Sequence, residues 1–138
     1  IFPQKGGKSL NIVGFLSHDC SDFQSFSFDN GSINSAVVIE CLNKFSEGLK
    51  KKTHIVIDNA PVHRSFAFKE NIKKWERRGL VLEFLPTYSP ELNKIEILWK
   101  FIKYKWMPHS AYKNFLNLKR HLYKIIRGIG SEYVISFG

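Results

Sequence analysis

Two acidic residues stand where chemistry on phosphates would want them. Asp58 closes an apolar run, HIVID, and Glu96 follows 38 positions later in an apolar-striped stretch, KIEILWKFIK. Ile55, Val56 and Ile57 are a β-branched run without polar alternation, which reads as a strand buried on both faces and therefore part of a parallel sheet. Ligands of such sheets sit at the carboxyl ends of the strands, and that is where Asp58 falls. The 37 residues between the two acids are enough for one helix, one strand and a loop to bring Glu96 back to the same edge. Two carboxylates meeting there in a strongly basic chain suit a hard divalent cation acting on phosphodiesters.

Each of these residues also has a plainer reading. Asp58-Asn59 commonly opens a turn. His63, taken by itself, reads as a solvated loop histidine. Asn93 and Glu96 have the spacing of a capping box, with Asn93 as N-cap and Glu96 reaching back from the third helical position. A glutamate in a first turn is favoured by the helix dipole in any case. A catalytic carboxylate can be held by the same geometry, so capping and catalysis are compatible. Glu91, in the proline-punctuated loop, is the alternative acid. Gly6-Gly7-Lys8 lacks the preceding strand and the full spacing of a phosphate loop.

The elements that must position the acids follow from periodicity. Strands are expected over 9–17 and 23–28, joined by the short connector His18–Asp22 as an antiparallel pair. Asp29-Asn30-Gly31 marks a turn. A helix over 34–50 carries Val37, Val38, Cys41, Leu42, Phe45 and Leu49 on one face. Strand 53–58 is followed by a helix over 65–78, stopped by Gly79. Strand 80–85 and an irregular loop at Pro86 and Pro90 lead into a helix over 95–105. There Glu96, Lys100 and Lys103 share a face opposite Ile95, Leu98, Trp99 and Ile102. A last helix covers 112–127.

At 138 residues the chain reads as one domain, 1–138. Lys and Arg total 21 against 12 acids, a net charge of +9, which favours a polyanion such as DNA or RNA over a membrane. Cys20 and Cys41 fit no zinc spacing. No apolar run approaches membrane-spanning length and no signal peptide is visible. The chain begins Ile1-Phe2-Pro3, without Met, and so reads as a fragment or a processed piece.

The stretches DNAPVHR at 58–64 and LPTYSPELNKIEILWKFIK at 85–103 resemble the catalytic domain of DDE-type transposases, specifically the insertion-sequence 630 family of the mariner-like superfamily. The resemblance implies an α/β, ribonuclease-H-like fold, a mixed sheet flanked by helices, in which strands 9–17, 23–28, 53–58 and 80–85 are expected in one sheet with 53–58 at its centre. It also implies that the first catalytic Asp sits on a first strand upstream of Ile1, so the domain is expected to be incomplete at its N-terminus. Asp58 and Glu96 become catalytic metal ligands, expected to share two Mg²⁺ (or Mn²⁺) ions with the missing acid. His63 becomes a site-proximal residue, hydrogen-bonded to an acid or a phosphate. Asn59 and Asn93 support the site, and Lys94, Lys100 and Lys103 face nucleic acid. Lys94 stands where the family usually has proline. The implied activity is cleavage and strand transfer of DNA during transposition, on transposon ends and a target, by a full-length homodimer. It would act at the nucleoid of a bacterial cytoplasm or in a eukaryotic nucleus. The alternative is an inactive, truncated remnant that binds nucleic acid by charge alone.

Overall fold

The computed structural model describes residues 2–3, 9–29, 33–86 and 92–135. By their contacts they form two units, Ile33–Asn93 and a second made of Ile1–Ser32 with Lys94–Gly138. The architecture is mixed α/β, small sheets with helices against them.

In the unit that holds both ends of the chain, strand β1 (Phe2–Pro3) pairs antiparallel with β2 (Ser9–Leu16). β2 pairs antiparallel with β3 (Phe23–Phe28), from Asn11↔Phe28 to Leu16↔Phe23. The hairpin follows from its connector. Asp19 Oδ1 accepts from Ser21 Oγ at 2.6 Å, Ser17 Oγ at 2.8 Å and Ser21 N at 3.1 Å. Those bonds hold the Asp19 carboxyl at a pKa of about 2, against an ordinary 3.8, with the Ser21 hydroxyl the largest cause. Helix α3 (Lys94–Phe101) and helix α4 (Phe115–Gly128) pack on β2. Leu10, Leu98, Ile102, Leu118, Leu122 and Ile125 form the centre of that core. Asn114 caps α4, its Oδ1 accepting from Asn117 N at 2.8 Å.

The middle unit begins with helix α1 (Ser35–Glu47), whose N-cap Asn34 accepts from Val37 N at 3.0 Å. Strand β4 (Thr53–Ile57) and strand β5 (Leu80–Phe84) pair parallel, with helix α2 (Phe66–Arg77) as the crossover between them. Ser65 caps α2 through Phe68 N at 3.2 Å. Gly79, at φ +93°, turns the chain out of α2 in a conformation that costs other residues dearly. Its carbonyl accepts from Thr53 N at 2.7 Å and starts the parallel ladder. α1 packs on α2. Trp75, fully buried, stands edge-on to Phe68 with ring centres 5.1 Å apart and donates its indole N–H to Asn43 Oδ1 at 2.8 Å. Cys41 is buried in α1, as its helical spacing suggested.

Four expectations need correction. The described strands pair as two sheets, β1-β2-β3 and β4-β5, where one sheet centred on 53–58 was expected. Burial alternates along β4, so that strand is not covered on both faces: Val56 is 52% exposed. The β-branched run concealed a one-sided strand whose outer face also holds a hydrogen bond between His54 Nδ1 and Glu83 Oε1 at 2.9 Å. The helix expected over 95–105 is α-helical only to Phe101. It continues as a π-turn, Ile102–Trp106, where Met107 N donates to Ile102 O at 3.0 Å. The last helix starts three residues later than expected, because His109–Lys113 is a 3₁₀ turn and Asn114 sets the cap. Asn30 and Gly31 of the expected turn, and Glu91, lie outside the described residues. No helix among the described residues is long and apolar enough to cross a membrane.

Candidate functional site

Asp58 follows the last residue of β4. The parallel ladder runs one step past the strands, Leu85 N donating to Ile57 O at 2.8 Å, so β4 and β5 end together at the edge where Asp58 emerges. Pro61 then starts a short 3₁₀ turn, Pro61–His63, because a fixed φ and a missing N–H suit a first helical position. The turn folds His63 back onto Asp58.

The contacts of Asp58 are specific. Its Oδ1 accepts from Ala60 N at 3.1 Å and stands 2.9 Å from His63 Nδ1. The same Nδ1 lies 3.0 Å from the backbone oxygen of Asp58. Both neighbours of Nδ1 are acceptors, so this nitrogen carries the proton and donates to them. The imidazole is 17% exposed and leans on Phe68, ring centres 5.5 Å apart, so its orientation is set by packing as well as by hydrogen bonding. The Asp58 side chain is 50% exposed. Among the described residues no hydrogen bond engages Oδ2, which leaves one oxygen of an oriented carboxylate open to solvent or a ligand.

Glu96 occupies the first turn of α3, as expected, and is half-buried. Asn93 stands directly before the helix, at the cap position, and Glu96 is its third residue. Lys94 donates from Nζ to His18 O at 2.8 Å, so it clasps the β2–β3 connector. Lys100 is exposed on α3, while Lys103 falls in the π-turn and is half-buried. Asn59 is half-buried between Asp58 and Ala60.

Of the residues singled out from sequence, Asp58 and His63 are brought into direct contact. Asp58 belongs to the middle unit and Glu96 to the other. The Ala60 amide was missed as an Asp58 ligand, although an Asp two residues before a backbone N–H is a common turn signal that could have found it. Among the described residues no three His, Cys, Asp or Glu side chains converge as a metal cluster. Asp58 and Glu96 are nonetheless hard oxygen donors, and Mg²⁺ takes one or two carboxylates and fills its octahedron with water and phosphate oxygens. The half-exposed Asp58 carboxylate fits one such corner.

A family model described as DDE superfamily endonuclease matches residues 1–119. A curated protein of Sinorhizobium fredii, described as uncharacterized protein y4pE/y4sA, is 36% identical over 43 residues. That match covers 31% of this chain and 32% of the relative, so the chain spans about a third of the relative's length.

Proposed function

We propose a function from one premise: this chain belongs to the DDE superfamily endonuclease family. It acts as the catalytic domain of a transposase of the insertion-sequence 630 branch, cleaving and joining DNA strands with the help of divalent ions. The observation that carries the reading is the Asp58 carboxylate, oriented at the shared carboxyl edge of two parallel strands by Ala60 N–H and His63.

In this reading Asp58 and Glu96 are metal ligands, and the Mg²⁺ they would help to hold supplies activation of the attacking oxygen and offsets charge on the leaving 3′-oxygen. The chain's own residues perform the positioning. Ala60 N–H and His63 Nδ1–H fix Oδ1 and so restrain the carboxylate. A preoriented ligand loses less freedom when the charged complex forms, which is how a site converts position into rate. Phe68 keeps the imidazole from swinging away. The first turn of α3 presents Glu96, and the exposed Lys100 faces the phosphates of bound DNA, with Lys103 of the π-turn as a second contact. The partners are transposon ends and target DNA, met by a homodimer of the full-length protein at the nucleoid or in the nucleus.

In the full-length protein, Asp58→Asn and Glu96→Gln each abolish Mg²⁺-dependent nicking of supercoiled plasmid while leaving circular dichroism unchanged. Nicking that survives Asp58→Asn contradicts the proposal.

A further inference from the structure

We propose that the outer face of α4 is a second nucleic-acid-binding surface, gripping the sugar–phosphate backbone of duplex DNA through Arg120, Lys124 and Arg127. At about 100° per residue the three fall within an arc of roughly 60°, and along the axis they are spaced by about 6 and 4.5 Å. All three are exposed, and none is engaged in an ion pair or hydrogen bond among the described residues. Their neighbour Lys119, on the flank of the helix, is bound to Asp29 at 2.8 Å. Lys119 thus has an acid partner, while among the described residues the outer three have no ion pair. From residue 97 to residue 131 the chain contains no Asp or Glu, while it contains eight Lys and Arg.

Such an arrangement opposes helix stability. Arg120 with Lys124, and Lys124 with Arg127, are like charges at the spacings where helical neighbours meet and repel. A cation in the last turn is favoured by the helix dipole, which accounts for Arg127 but not for the other two. The exposed helix α2 is different in kind, because Glu70 and Glu76 interrupt its lysines and arginines. A polyanion laid along α4 removes the repulsion.

The choice of partner rests on what the opposite face does. Basic amphipathic helices often lie on acidic membranes by inserting their apolar side. Here Leu118, Leu122 and Ile125 are buried in the core at 0–2% exposure, so that side is not available without unfolding. What remains is a rigid row of cations, suited to a regularly spaced row of phosphates. Residues 120–128 lie beyond the stretch matched by the family model, so membership in the family does not assign them this role. The inference keeps DNA as the partner class but needs neither Asp58 nor Glu96.

The test is a salt titration of the full chain binding a mixed-sequence duplex, read by fluorescence anisotropy in EDTA so that no metal-dependent step contributes. Arg120→Gln/Lys124→Gln/Arg127→Gln preserves helix propensity and is compared with Lys50→Gln/Lys51→Gln/Lys52→Gln, an exposed control with the same loss of charge. Three phosphate contacts are worth a slope of about −2.7 in log K against log salt. Wild type should therefore lose roughly 40-fold more affinity than the α4 variant between 50 and 200 mM salt. An unchanged slope in a folded α4 variant overturns the proposal. So does an equal fall in the control, which would make net charge the cause. So does retained DNA affinity with lost binding to phosphatidylserine vesicles, which would assign the face to a membrane.

Discussion

Replacing His63 tests whether Asp58 is held as the contacts indicate. His63→Ala removes a charge-assisted hydrogen bond to Asp58 Oδ1 and a largely buried ring against Phe68. A hydrogen bond to a charged group is worth about 1.5–3 kcal/mol when buried. Asp58 is 50% exposed, so water replaces part of it and about 1 kcal/mol is the better figure. The ring contact adds roughly 1 kcal/mol. His63→Ala should thus cost about 2 kcal/mol, and urea unfolding should show a midpoint lower by roughly 1 M for a slope of about 2 kcal/mol/M. His63→Asn sets an amide N–H near the position of Nδ1, so it keeps the hydrogen bond, loses the ring and costs about 1 kcal/mol. In the full-length protein His63→Asn should also retain more Mg²⁺-dependent nicking than His63→Ala. If both variants unfold within ~0.3 kcal/mol of wild type, His63 does not hold Asp58 and the positioning argument fails.

Gly14→Ala places a Cβ 2.6 Å from the Phe23 ring and 3.0 Å from Trp99, so overpacking should cost about 1–3 kcal/mol in thermal or urea unfolding. Gly48→Ala meets only Phe45 O at 3.7 Å and should change stability by under ~0.5 kcal/mol. Asp19, lowered from 3.8 to about 2, contributes stability that is whole above its ordinary pKa and is lost as pH falls through the lower value. The difference in urea midpoint between wild type and Asp19→Ala should therefore be steady above about pH 5 and close toward pH 2. Lys100→Ala/Lys103→Ala should reduce the salt slope of DNA binding by between about one and two units. The lower figure applies if the half-buried Lys103 makes no phosphate contact. An unchanged slope would mean that DNA does not run past α3.

The local frame was largely legible in the sequence. Helix starts at Asn34 and Ser65 follow from capping chemistry, and the stop after α2 from Gly79, because these depend on a few neighbouring atoms. The His63 contact could be anticipated only through the resemblance, since a histidine five residues from an acid has no fixed geometry until Pro61 and the 3₁₀ turn impose one. Two features were not legible for physical reasons. The apolar letters of Ile55, Val56 and Ile57 do not reveal that one face of β4 stays open, because hydrophobic residues also occupy exposed positions. The π-turn after Phe101 arises in a stretch whose apolar period continues unbroken, so it leaves no mark in the pattern. It moves Lys103 away from the place an ideal helix would give it.

Asp58 and Glu96 are proposed to ligate divalent ions. Mn²⁺, which accepts the same oxygen donors as Mg²⁺, can be titrated into wild type, Asp58→Asn, Glu96→Gln and the double variant, with free ion read by electron paramagnetic resonance. If the two carboxylates share the ion, each single variant loses most of the affinity and the double variant loses little more. An Asp58→Asn or Glu96→Gln variant that binds Mn²⁺ as wild type does would contradict the claim.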